Sequence, residues 1–204
     1  MTLATQVEAR SFNPVPISLE MFEFKILEES ELTDEIIHQM LRMKCLEWPD
    51  RYHDANYNQH WDEFPGKRGH CAGRSFVLAY EGDRLVAQAE SFPRTIRSET
   101  EALEVLALAG VLAHPNYRGR GLGRRVIEPV FQRVDAGEFL FCLFQTPIPE
   151  FYAHLKCVLV EDTFYNGHVT DRREETIWWE DSVMVYPGNR TWIEGEIDLN
   201  GPAF

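Results

Sequence analysis

A chain of 204 residues is long enough to bury one substantial core, and a single domain is the expectation. Hydrophobic residues make up 44% and charged residues 26%, the composition of a folded globular protein rather than a disordered one. Twenty Lys+Arg against 33 Asp+Glu leave a formal charge of −13, which argues against nucleic acid as a partner and is compatible with a cationic substrate.

Residues 1–20, with Pro14 and Pro16, read as an irregular leader. No basic region followed by an apolar run stands there, so no signal peptide is expected. "FEFKIL" (22–27) alternates like a strand. Ser30 or Thr33 can cap a helix running to about Trp48, with Asp34 and Glu35 in its first turn and Ile36, Ile37, Met40, Leu41 and Met43 on its apolar side. Residues 48–70 are rich in aromatic, His, Asp and Asn side chains without a clear period; such a stretch is a functional lid or a solvated excursion with one short helix.

Residues 74–92 read as a hairpin turning at "EGD". "LEVLALAGVLA" (103–113) is a central strand covered on both faces, and Gly110 inside it signals a bulge or a close backbone approach. Its apolar run, 105–113, is too short to cross a bilayer, so a cytoplasmic protein without membrane contact is expected. Residues 122–136 form a helix that Pro129 is expected to disturb; 139–144 form a buried strand; 149–157 form a short helix; 176–187 add a late strand. The order is that of an α/β protein with a mixed sheet flanked by helices. Cys45, Cys71, Cys142 and Cys157 form no CxxC pair and read as reduced thiols. The seven histidines show no metal-ligand spacing, and no metal is expected.

"HPNYRGRGLGRR" (114–125) places Gly119, Gly121 and Gly123 alternately among Arg118, Arg120, Arg124 and Arg125. It joins a buried strand to a helix N-terminus, where unpaired N–H groups and the helix dipole favour an anion, and bare glycines admit it to the backbone. No Gly-Lys-Ser/Thr follows, and the third glycine comes one residue early for a dinucleotide fingerprint. The pattern Arg118-x-x-Gly121-x-Gly123 after an apolar strand, with "FYAHLKC" more weakly, resembles the GNAT superfamily of acyl-CoA N-acyltransferases over residues 22–165.

The resemblance implies the GNAT fold and acetyl-CoA as cosubstrate. The amides of Gly119, Arg120, Gly121, Leu122, Gly123 and Arg124 would hold the coenzyme A pyrophosphate, and the backbone of Val111, Leu112 and Ala113 would pair with the pantetheine arm. Arg118 would brace the loop rather than touch phosphate. Tyr152 stands where family members carry the acid that protonates the leaving thiolate, followed by Leu155-Lys156-Cys157 in place of Leu-Gly-Phe. The positions from which many members draw a base are Ala107 and Ala109, neither able to take a proton. Glu104 and His114, at the two ends of the strand, do not match; a water chain, a lid residue such as His70 or Asp62, or no base at all remain open.

Within a C-terminal extension, 166–204, the stretch "SVMVYPGNRTWIEGEIDLNGPAF" (182–204) resembles the ends of the aminoglycoside 2′-N-acetyltransferases and, in "IDLNGP", of the nodulation N-acyltransferases. The implied acceptor is a small-molecule amine, an amino sugar or polyamine-like, faced by groups among Glu180, Asp181, Glu194, Glu196, Asp198 and the Phe204 carboxylate. Two rivals stand beside it. One is transfer of a longer acyl chain into a groove lined by Trp48, Tyr57, Trp61 and Phe64; the other is a non-catalytic coenzyme A-binding member. Homodimerisation is left open.

Overall fold

The computed structural model describes residues 21–53, 56–64, 72–169, 177–193 and 195–204. The leader, Cys71, His70 and Glu194 therefore lie outside the described residues. Strand β1 (Glu23–Glu28) precedes helix α1 (Asp34–Glu47), and the described residues of the stretch 48–70 include one short helix, α2 (Tyr57–Glu63). Strands β2 (Ser75–Glu81), β3 (Arg84–Arg97) and β4 (Ala102–Ala113) follow, then α3 (Leu122–Asp135), β5 (Cys142–Thr146) and α4 (Pro149–Ala153). Strands β6 (Val158–Leu159), β7 (Thr163–Tyr165), β8 (Ser182–Tyr186) and β9 (Glu196–Asp198) complete the chain.

Among the described residues all nine strands share one mixed sheet with the path β1-β2-β3-β4-β5-β8-β6, and β9 links β7 to β3. Neighbours are antiparallel except β4–β5 and β7–β9. Thr33 caps α1, its Oγ1 accepting from Ile36 N–H at 3.3 Å. The hairpin turns on Gly82 (φ +58°) and Asp83, a positive torsion at the first central position as a type II′ turn requires.

Each face of the sheet buries its own cluster. Val77, Val86, Leu106, Leu108 and Phe144 pack on Val126, Ile127 and Val130 of α3. The opposite face meets α1 through Phe76, Leu78 and Leu85 against Ile37, Met40 and Leu41. Farther along that face, Phe92, Ile96, Ala107, Leu143 and Val185 receive the returning tail, including Ile197, Leu199 and Phe204.

The structure moves several boundaries. β3 runs on to Arg97 because Pro93 sits in register opposite Leu106 without ending the strand. β5 begins at Cys142, so Phe139 and Phe141 of the apolar run pack in the core ahead of the strand. α4 stops at Ala153 because the chain reverses there: Lys156 takes φ +67° and Cys157 N–H bonds back to Tyr152 O at 3.1 Å. α3 continues unbroken through Pro129. The short strands β6, β7 and β9 carry too little sequence for their pattern to show.

Candidate active site

The two central parallel strands touch only briefly. β4 and β5 pair at Leu106↔Cys142 and Ala107↔Leu143. Beyond that point Leu108–Ala113 keep β3 as partner on one side, while β5 keeps β8 on the other. The cause lies in β4: Glu90 faces Ala109 but Gln88 faces Leu112, so β4 carries one extra residue. Gly110 absorbs it at φ +57°. The bulge bends β4 away and opens a wedge whose edge, at Val111–Ala113, presents strand N–H and C=O groups to any extended ligand.

The wedge leads to the loop 114–125. Pro115–Tyr117 form a 3-10 turn. Gly119 (φ +75°) and Gly121 (φ +76°) then put the chain in the left-handed region, with open space where a Cβ would stand. Gly121 is the N-cap of α3, and Arg125 N–H makes the first helical bond, to Gly121 O at 3.2 Å. The N–H groups of Gly119, Arg120, Gly121, Leu122, Gly123 and Arg124 find no acceptor among the described residues. Six consecutive free amides at a dipole's positive end make a strong anion cradle.

Most arginine side chains are committed elsewhere. Arg118 pairs with Glu47 at the end of α1, tying the loop to that helix. Arg120 lies 4.8 Å from the Tyr117 ring and Arg125 4.0 Å from the Phe24 ring. Arg124 is exposed. Tyr117 donates to Glu81, anchoring the loop's start to β2.

Tyr152 sits at the other side of the wedge. It is 4% exposed, and its ring centroid lies 4.5 Å from that of Phe144 on β5. Burial pushes its phenol well above the ordinary range, with Cys157 and Cys142 adding to the effect. Its hydroxyl has no hydrogen-bond partner among the described residues. Phe151, its neighbour, lies 3.8 Å from a Cβ built at Gly123, so α4 is docked on the first turn of α3.

The sequence candidates for a base scatter. Glu104 and Asp62 are exposed, and His70 lies outside the described residues. His114 is 8% exposed; Arg84 Nη2 donates to its Nε2 at 2.6 Å, and burial with the Arg84 charge pushes its pKa down. In the tail, Asp198 Oδ1 accepts from Gly167 and Asn200 N–H, both at 2.7 Å, which fixes it as a turn residue. Asp181 and Glu196 are exposed, and burial beside Asp181 pushes the Glu180 carboxyl up. Gln145 on β5 donates to Phe204 O at 2.8 Å, holding the chain end over this face. Lid aromatics pack on α1 and β2: Trp61 stacks on His38 at 4.0 Å, and Phe64 is buried against Phe76.

Sequence reasoning missed the charged group nearest the bulge. The register sets Phe76, Glu90 and Ala109 in one row across the α1 face. Glu90, 4% exposed, pairs with Arg74 and lies 3.9 Å from Lys44 Nζ. The signal was present: Lys44 follows Ile37, Met40 and Leu41 at helical spacing, a charge on the apolar stripe of α1. Among the described residues no cluster of three or more His, Cys, Asp or Glu could hold a metal, and no helix is long and apolar enough to cross a membrane.

Comparisons with known proteins agree with this architecture. Escherichia coli ElaA superposes with a TM-score of 0.54 at 18% identity, covering 81% of this chain and 99% of its own. An acetyltransferase from Streptococcus agalactiae gives a TM-score of 0.55 at 16% identity, over 88% of this chain and 99% of its own. An aminoglycoside acetyltransferase from an uncultured soil metagenomic sample gives 0.50 at 13% identity, over 66% and 84%. No curated protein matches. The family model for the acetyltransferase (GNAT) domain matches residues 29–156, more than half of the sequence, and the chain therefore belongs to the GNAT acetyltransferase family.

Proposed function

We propose that this acetyltransferase takes its acyl group from acetyl-CoA and passes it to a primary amine of a small molecule, an amino sugar or polyamine-like. The observation that carries the donor is the continuity of the wedge with the cradle. The free edge at Val111, Leu112 and Ala113 runs directly into six unpartnered amides, Gly119 to Arg124. A pantetheine arm suits the first and a pyrophosphate the second. Acetyl-CoA supplies an activated thioester. The loop amides bind, the strand edge orients, and Tyr152 holds a proton for the departing sulfur. Its raised pKa keeps the phenol a donor across the neutral range. Arg118, engaged with Glu47, acts as a brace.

The acceptor class rests on the net charge of −13 and on the tail's resemblance to enzymes of amino sugars. The packed lid, with Phe64 buried and Trp61 stacked on His38, does not favour a long-chain acyl groove. Isothermal titration with acetyl-CoA tests the donor: absence of binding by folded protein rejects it. A screen of aminoglycosides, glucosamine and spermidine, following thiol release from acetyl-CoA, tests the acceptor. Faster release with palmitoyl-CoA than with acetyl-CoA would reverse the choice of acyl group.

A further inference from the structure

Lys44 is a buried amine that no step above employs. It is 8% exposed, and among the described residues three groups surround its Nζ: Glu90 Oε2 at 3.9 Å and the rings of Tyr52 and Phe64, with centroids at 5.7 and 5.4 Å. Its remaining side faces the bulge. A Cβ built on Gly110 would lie 3.7 Å from Lys44 Nζ and 3.8 Å from Gln88 Nε2. Gln88 is fully buried; its Nε2 makes only a long contact, 3.5 Å, to Gly110 O, and its Oε1 has no partner among the described residues. Two side-chain N–H donors thus converge on the turn of β4 that opens the wedge.

That turn is also where a thioester would arrive. With phosphates on the amides of 119–124 and the arm running back along Ala113, Leu112 and Val111, the next residues toward the sulfur are Gly110 and Ala109. A lysine needed only to join α1 to β3 would be replaceable by apolar side chains of equal volume. A fixed cation beside the reacting carbonyl has a different use. It gains most where negative charge develops, and it is oriented before the reaction begins.

We propose that Lys44, with Gln88 Nε2 as second donor, stabilises the negative charge developing on the thioester carbonyl oxygen. The amine's lone pair forms the C–N bond and the C–S bond breaks onto sulfur. Sulfur takes the Tyr152 proton, the amine's surplus proton passes to solvent, solvent returns a proton to the Tyr152 phenolate, and Lys44 contributes hydrogen bonds alone. This role rests on the acetyl-CoA reading above.

The test uses acetyl-CoA labelled with carbon-13 at the carbonyl, added to the full chain and observed by NMR, with affinity measured by titration calorimetry. The bound wild-type resonance is expected downfield of the free one. Lys44→Met should return it toward the free position with Kd changed by less than about threefold, and Lys44→Arg should keep part of the displacement. The charge-balanced pair Lys44→Met with Glu90→Gln should behave as Lys44→Met does, and serves if the single variant does not fold. An equal displacement without Lys44, or none in the wild type, overturns the role. Folded wild type that fails to bind acetyl-CoA overturns the acetyl-CoA reading instead.

Discussion

Gly121 sets the conformation of the anion cradle through one torsion, φ +76°, at the N-cap of α3. A β-branched residue there pays about 1–2 kcal/mol of strain or swings the amides out of line. Gly121→Val should therefore weaken acetyl-CoA binding about tenfold or more by calorimetry, a factor worth about 1.4 kcal/mol. Arg124→Ala, which removes only an exposed charge, should cost less. Equal losses would place the binding in side chains rather than backbone. Tyr152→Phe keeps the ring against Phe144 and removes the proton. Turnover should fall about 100-fold with Kd for acetyl-CoA held. Lys156 stands where the family resemblance expects glycine and takes φ +67°. Lys156→Gly should raise stability by about 0.5–1 kcal/mol, read as a higher urea midpoint, since relief of left-handed strain exceeds the entropy that glycine loses.

At the scale of elements the informative unit is β4 with its neighbours. Its apolar run and Gly110 are legible in the sequence, because a strand covered on both faces must be continuous in hydrophobic residues and a lone glycine interrupts it for a reason. Which residue faces which is not legible. Glu90 comes opposite Ala109 only after the extra residue of β4 is counted into the ladder. The same limit hid the work of Lys44: helical periodicity marks it as misplaced on an apolar stripe, but its partners come from β3 and from rings near α2. Helix starts are more local. Thr33 reads as the cap of α1 because its own oxygen satisfies Ile36 N–H. Thr33→Ala should lower stability by about 1 kcal/mol in urea unfolding and leave acetyl-CoA affinity unchanged.

At the scale of the whole molecule, the returning tail contributes to stability and the buried thiols to its dependence on pH. Phe204 is 8% exposed and meets Phe92 and Trp178 edge to face at 5.6 and 5.2 Å. Phe204→Ala should destabilise by about 3 kcal/mol, read as a lowered urea midpoint. Cys157 is pushed up to about 12 by burial, and Cys142 is raised well above its ordinary 9.0. The unfolded chain would ionise both thiols from about pH 9 while the folded chain keeps its protons. The thiols' contribution to stability should be level below pH 9 and be lost as pH rises toward 12. Replacing both cysteines by alanine should lessen the alkaline loss of stability and leave the part due to Tyr152 and Tyr186.

By itself the sequence determined the family, the alternation of strands and helices, and the glycine-rich cradle. Those depend on contiguous residues, whose spacing and torsional needs are local. Tertiary structure decided which charged groups meet at the reacting end. Glu90 and Gln88 on β3, Lys44 on α1 and Arg74 ahead of β2 come from three separate stretches and converge only through strand register and helix docking. Pairing across a sheet is set by the sum of core contacts over both strands, and no single segment carries that sum.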